Sequence, residues 1–323
     1  MTRKLEASLN GALVIHKPTG PTSHDVVEIV RRMLGFRQIG HLGTLDPLAT
    51  GVLVLMLGKA TRLAQFYGTR RKRYTCSVRF GYATDSYDAN GEPGNADALP
   101  LLNEKNLLRF AAALTGRIMQ TPPPFSAKKV HGTPAHELAR KKKLVNLKPV
   151  EVDVFELRLT KFAGSVAEFT VECGPGTYIR SLAHDMGQML GTGAHLSQIA
   201  RTAVGEFTLD HARSLDEVAV AARSGRLNDV VIPLENLLQD LPRTTVLPIV
   251  ERRVCHGVNF NVPLNQLHPG AAMVSEGAPA SLDTDAWKPA RVRVFNQQQQ
   301  LIAIAQAVVP RVYQPIVVLE AAA

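Results

Sequence analysis

The chain has 323 residues, 45% hydrophobic and 20% charged, which suits roughly two globular domains at about 150 residues each. Lysine and arginine outnumber aspartate and glutamate by 37 to 28, a net charge of +9 with histidines neutral, and a surplus of that size suggests a polyanionic partner. The longest apolar run, residues 52–57, is far below the ~20 needed to span a bilayer, and the N-terminal stretch reads as no signal peptide. Cys76, Cys173 and Cys255 are too dispersed for a disulfide framework or a CxxC zinc site, so a reducing cytoplasm is expected.

Along the chain, residues 12–16 read as a short strand. Residues 23–35 read as a helix, with Ser23 as candidate N-cap, Val26, Val27, Val30 and Leu34 as its apolar stripe, and Gly35 as its end. GHLGTLDPLATGVL (40–53) is a glycine-punctuated loop running into an apolar strand. Pro47 keeps Asp46 out of the helical region. On this local view Asp46 either carries chemistry or simply shapes a turn. Tyr74, Cys76, Val78, Phe80 and Tyr82 alternate with polar residues, as a strand requires. Tyr74 follows four cations, residues 70–73, and so suits stacking on a base beside phosphates; a core-facing ring fits the spacing equally well.

Residues 103–114 form a helix capped by Asn103. Residues 121–150 are rich in proline and lysine and poor in core-type residues, which predicts little regular structure. Their run of four cations, 140–143, is either a solvated face or an arm laid against phosphates. Residues 152–162 and 166–173 form a strand pair, and 178–190 a helix capped by Thr177 and ended by Gly191. Arg180 lies in the first turn of that helix and opposes its dipole by a few tenths of a kcal/mol. It therefore calls for a carboxylate partner or an anionic ligand, unless it bends back to solvent. Beyond about 240 the net charge drops to +1, leaving +8 in the first 239 residues. Residues 245–250, 291–295, 301–307 and 313–319 are short β-prone runs of a small barrel or sandwich, with 297–300 as a hairpin loop.

Familiar cofactor motifs fail. The residues around Gly58-Lys59 lack phosphate-loop spacing, no stretch completes a dinucleotide fingerprint, and His136-Glu137 has Arg140 where a second zinc-binding histidine belongs. There is no GxSxG elbow. Nothing calls for a nucleotide, flavin or metal.

Five longer strings carry a resemblance: KPTGPTSHDVVEIVRR (17–32), GHLGTLDPLATGVLVLMLGKATRL (40–63), KRYTCSVRFGYATDSYDANG (72–91), GRIMQTPPPFSAKKVHG (116–132) and GTYIRSLAHDMGQMLGTGAHLSQIARTAVGEF (176–207). In this order they resemble the motifs of the bacterial tRNA pseudouridine-55 synthases, the TruB family, across most of residues 11–210. The remainder loosely resembles the family's PUA-type domain. The resemblance implies an α+β pseudouridine synthase fold, a mixed, mainly antiparallel sheet flanked by helices. The catalytic domain would span 1–240, with an RNA-clamping insertion at 121–150, and a small β-rich PUA-like RNA-binding domain would span 241–323.

The resemblance also assigns roles. Asp46 falls on the catalytic aspartate, Arg180 on the arginine paired with it, and Asp88 on a second carboxylate near that arginine. Tyr74 falls on the tyrosine that stacks on the target uracil, and Tyr178 and Ile199 on the base pocket, where the family more often has leucine at Ile199. His41 falls on the histidine that fills the gap left by the flipped base. Lys17, Arg71, Arg73, Lys128, Lys129, Arg140, Lys141, Lys142 and Arg201 are expected on the RNA-binding surface. His136 and Ala200 depart from the family's usual tyrosine and arginine. The implied reaction is an isomerisation and needs no cofactor or metal. The implied partner is the TΨC arm of tRNA, met by a monomer that needs no other protein. Two alternatives stand beside it: an RNA-binding, tRNA-folding module with secondary catalysis, and a guide-RNA-dependent synthase. The full insertion argues against the latter, because guide-dependent relatives tend to lack it.

Overall fold

The computed structural model describes residues 9–94, 102–126, 128–130, 132–141, 147–270 and 290–320. The strand β1 (Gly11–Lys17) leads into helix α1 (Ser23–Leu34). The cap of α1 is Thr22 and not the expected Ser23: Asp25 N donates to Thr22 Oγ1 (3.1 Å) and Thr22 N to Asp25 Oδ2 (2.8 Å), a capping box. Ser23 turns inward. Its hydroxyl donates to Leu45 O (3.1 Å) and accepts from Leu45 N (2.7 Å), pinning the loop before Asp46 to the helix. Gly35 closes α1 at a left-handed φ of 61°.

Next come β2 (Ile39–His41), β3 (Thr50–Leu57), a 3-10 segment (Gly58–Phe66), β4 (Lys72–Phe80), α2 (Glu104–Ala113) and β5 (Gly116–Gln120). Asn103 caps α2 as expected, accepting from Asn106 N (2.8 Å). The insertion carries more regular structure than its prolines predict. It contains the ribbon β6 (Lys129–Val130) and β7 (Thr133–Pro134), then α3 (Ala135–Arg140). The long hairpin β8 (Val150–Ala163) and β9 (Val166–Cys173) precedes α4 (Ile179–Leu190), β10 (Ala194–Val204), β11 (Phe207–Thr208), α5 (Leu215–Arg223) and β12 (Val231–Pro233). The cap of α4 is Tyr178; Thr177, the expected cap, donates instead to Gly174 O (3.1 Å).

These strands form one ten-stranded sheet in the order β12-β1-β3-β10-β4-β9-β8-β5, with β2 on β3 and β11 on β10. All of its pairs are antiparallel except β3 with β10. The apolar run in β3 is explained by burial of both faces. Leu53, Leu55 and Leu57 pack with α1, α2, α4 and α5, while Val52, Val54 and Met56 pack under the 3-10 segment and the C-terminal sheet.

That second sheet has the order β13 (Arg243–Thr245), β15 (Arg291–Phe295), β16 (Leu301–Val309), β17 (Val312–Val318), β14 (Phe260–Asn261), with α6 (Pro248–Cys255) against it. The expected strand over 245–250 is corrected: it ends at Thr245, because Pro248 sits in the first turn of α6. The 297–300 hairpin loop is present, with Gln300 N donating to Asn296 Oδ1 (2.9 Å). Phe295, Leu301, Ile304 and Leu319 complete the core above β3, and the ion pairs Arg70–Asp240 (2.7 Å) and Lys59–Glu320 (2.6 Å) join the sheets at their rims. Among the described residues no helix is long and apolar enough to cross a membrane.

Candidate active site

Asp46 lies on the loop between β2 and β3, at the boundary of two antiparallel strands that pair with each other. Two buried cations clamp this loop. Lys17, at the end of β1, donates to Ala49 O (2.7 Å), Pro18 O (2.9 Å) and Pro47 O (3.4 Å). Arg201, on β10, donates from Nε to Val52 O (2.8 Å), from Nη2 to Gly43 O (3.1 Å) and from Nη1 to Thr44 O (3.4 Å). Their side chains occupy the core, with Lys17 at 0% and Arg201 at 1% exposure. The expected placement of both on the RNA surface is therefore corrected: both are buried, Lys17 donating to backbone carbonyls and Arg201 to backbone carbonyls and the Tyr74 side chain. Burial pulls the Lys17 ammonium down to about 8, against the opposing pull of Asp46. Gly51 is required where β3 meets Arg201, since its φ is 95° and a Cβ there would stand 2.3 Å from Arg201 O.

The loop presents the Asp46 side chain, 43% exposed, to a guanidinium from across the fold: Asp46 Oδ2 lies 2.9 Å from Arg180 Nε. Arg180 itself is 6% exposed, so the reading in which it bends back to solvent fails. Its Nη1 donates to Ser86 O (3.0 Å) and lies 3.5 Å from Asp88 Oδ2, and its Nη2 donates to Phe125 O (2.9 Å). Asp88 is buried and held from behind, Oδ1 accepting from Ser86 Oγ (2.7 Å) and Asn90 N (3.0 Å). Burial pushes the Asp46 carboxyl above the usual carboxylate range. Asp88 adds to that push, while Arg180 and Lys17 work against it.

Tyr74 sits on β4 directly across from Arg201 on β10. Its ring packs in the core, the second of the two alternatives the spacing allowed. Burial pushes its phenol up to about 12, with Arg201 beside it acting in the opposite direction. Tyr178 caps α4 half-buried; burial raises its phenol, and Ser126, at the root of the insertion, hydrogen-bonds to it. Ile199 is half-buried on β10 opposite Cys76. It lines a hydroxyl-rich trough of about 630 Å³ with Leu48, Thr50, Thr75, Thr170 and Ser197. His41 ends β2 half-buried, and burial followed by the charge of Arg201 lowers its pKa, so the ring is neutral at physiological pH.

The remaining basic residues divide by location. Arg71 and Arg73 are exposed and flank Glu172 at 3.0 and 2.9 Å, with the Arg71 guanidinium 3.8 Å from the Phe155 ring centroid. They line a groove of about 660 Å³ between the two sheets, together with Arg70 and Arg291. Lys128 and Lys141 are exposed on the insertion, Lys129 lies in β6 and Arg140 ends α3. Lys142 lies outside the described residues. Sequence reasoning missed Ser23, Ser86 and Gln120, the small polar groups that hold the site's loops. The available signal for Gln120 was its position: it shares the inward face of β5 with Ile118. Among the described residues no three His, Cys, Asp or Glu side chains converge as metal ligands would.

Residues 31–179 match the N-terminal domain of the TruB family pseudouridylate synthases, and residues 180–239 the C-terminal domain of tRNA pseudouridylate synthase B. The chain is 42% identical over 311 residues to the tRNA pseudouridine synthase B of Solibacter usitatus, covering 96% of this chain and 100% of that one. It is 36% identical over 299 residues to the tRNA pseudouridine synthase B of Thermotoga maritima, covering 92% and 90%. A solved Cbf5-Nop10-Gar1 complex contains a similar chain, with a TM-score of 0.70 over 99% of this chain and 88% of that one; at 22% identity the likeness concerns the fold alone.

Proposed function

The chain belongs to the TruB family of pseudouridylate synthases and forms pseudouridine in tRNA; we propose that its target is uridine 55 in the TΨC loop, and that it acts alone, as a cytoplasmic monomer. The observation that carries the catalytic assignment is the Asp46–Arg180 pair, a half-open carboxylate held by a buried guanidinium. Residues 1–240 are assigned to catalysis, with 121–150 as the RNA clamp, and 241–323 to RNA binding through a PUA-like sheet.

The reaction breaks the N1–C1′ bond of uridine and joins C5 to C1′, so no electrons enter or leave. Electron deficiency develops as the first bond breaks, and a carboxylate is the group that meets it. Arg180 fixes the direction of Asp46, and the network of Ser86, Asp88 and Phe125 fixes Arg180 in turn. The detached uracil must turn over in place, and water must be kept from the sugar meanwhile. Tyr74 and Tyr178 supply apolar walls for this. A phenol pushed up to about 12 enters the reaction neutral, so it can take the C5 proton only by passing its own hydroxyl proton to the uracil N1 freed by bond cleavage, which balances the isomerisation; Arg201 beside it steadies any phenolate character on the way. Flipping a loop base costs a few kcal/mol, which the neutral His41 ring offsets by filling the gap. Arg71, Arg73, Lys128 and Lys141 hold phosphates.

The test is tritium release from a tRNA transcript labelled at uridine C5, with the purified protein alone. Release mapped to position 55 is the expected result. Release at another uridine would refute the position, and none without an added guide or protein would refute stand-alone action.

A further inference from the structure

Gln120 is the last residue of β5 and is fully buried, at 0% exposure. Its amide meets the Tyr178 peptide on both sides. Tyr178 N donates to Gln120 Oε1 (2.8 Å), and Gln120 Nε2 donates to Tyr178 O (3.0 Å). A primary amide is the side chain able to satisfy a peptide donor and acceptor at once, and the polarity of the peptide fixes which way it points. The pairing holds Tyr178 at the extended dihedrals (φ −102°, ψ 111°) that a helix cap needs, at a terminus with no side-chain cap of its own.

Beyond Gln120 the chain enters the insertion, and the first turn of α4 holds that stretch too. Ser181 Oγ donates to Thr121 O (2.7 Å), and Arg180 Nη2 donates to Phe125 O (2.9 Å). With the Ser126 bond to the Tyr178 phenol, the root of the insertion and the turn 178–181 share five hydrogen bonds. One of them comes from the guanidinium whose Nε lies 2.9 Å from Asp46.

We infer that Gln120 is a positioning residue: its amide locks the turn 178–181 to the root of the insertion, so that seating of the insertion on RNA is transmitted to the Asp46–Arg180 pair and to the Tyr178 ring. This rests on the function proposed above. Gln120 touches no reacting atom and acts through Tyr178 and Arg180.

The experiment measures single-turnover tritium release from full-length tRNA transcript, tRNA affinity and thermal unfolding for wild type, Gln120→Glu, Gln120→Leu and Val218→Ala. Gln120→Glu keeps the shape of the side chain but loses the donor to Tyr178 O; Gln120→Leu loses both bonds. Val218→Ala removes core volume in α5, away from the site, and serves as a stability control. The expected result is tRNA affinity within about threefold of wild type and a single-turnover rate down roughly 10- to 100-fold in whichever Gln120 variant folds, the range set by one unsatisfied buried group. Val218→Ala, equally or more destabilised, keeps the wild-type rate. A wild-type rate in a folded Gln120 variant overturns the inference. So does a loss confined to affinity, or a rate loss that Val218→Ala reproduces at equal stability. If wild type releases no tritium, the function reading falls first and takes this inference with it.

Discussion

Lys17 and Arg201 differ from Arg71 and Arg73 in everything except charge. The first two are buried, and they donate to backbone carbonyls of the loop that carries Asp46 and of the strand that follows it. The second two are more than half exposed and share a carboxylate, Glu172, at the rim of a groove. A cation in the core must satisfy its donors internally, so it becomes a structural brace. A cation at the surface keeps its donors in exchange with water, so it stays free to trade Glu172 for a phosphate. The surplus of +9 therefore overstates the charge available to RNA, because part of it holds the loop that carries Asp46.

The largest effect should come from removing a brace. Arg201→Met strands the carbonyls of Gly43, Thr44 and Val52 and is expected to lower stability by about 2–4 kcal/mol, on the scale of lost buried bonds to a charged donor. Denaturant unfolding reads the stability, and tritium release should fall well over tenfold because the Asp46 loop loosens. An Arg201→Met enzyme of wild-type stability with only weakened tRNA binding would return Arg201 to the RNA surface.

Lys17 gives a pH signature. Its folded pKa, about 8, lies below the usual lysine value of 10.5, so between those values the unfolded chain holds more protons at this site. The difference in stability between wild type and Lys17→Met should therefore shift in favour of wild type as pH rises from 8 to 10.5. Chemical denaturation at several pH values tests the sign, and a shift towards Lys17→Met contradicts the buried placement.

Asp46 supplies a smaller shift. Its raised pKa, from burial and Asp88, moves the acidic limb of the pH–rate profile above the usual aspartate range, since the ionised form is the active one. Asp88→Asn removes one source of that rise, so the limb should move to lower pH. A limb that stays in place or moves up would show that Asp88 does not act on Asp46 through charge.

The smallest effect belongs to the surface pair. Arg71→Gln with Arg73→Gln should change stability by less than about 1 kcal/mol. It should weaken tRNA binding and flatten its salt dependence by roughly one to two units of slope, without changing the rate at saturating tRNA. A changed rate at saturation would place these arginines nearer the chemistry than the geometry does.

What the sequence could show depended on range. The alternation around Tyr74, the cap at Asn103 and the glycine ends of α1 and α4 are local patterns, and the structure keeps them. Neighbouring hydroxyls compete for a cap, so Ser23 reads as the cap that Thr22 provides, and a proline at a helix start turns an expected strand into α6. The fate of Lys17 and Arg201 was hidden because β10 meets β3 in parallel, pairing Arg201 with Gly51 across a span no local pattern reports. The site residues themselves came from family resemblance. Spacing alone left Asp46 a turn residue as readily as a catalyst.

The central claim is that Asp46, held by Arg180, carries the chemistry while other groups bind the RNA. The direct measurement compares wild type with Asp46→Asn, recording single-turnover tritium release from uridine-labelled tRNA beside tRNA affinity on the same preparations. The account predicts that release is abolished while affinity stays within a few fold. Residual release near the wild-type rate, or affinity lost in step with turnover, would contradict it.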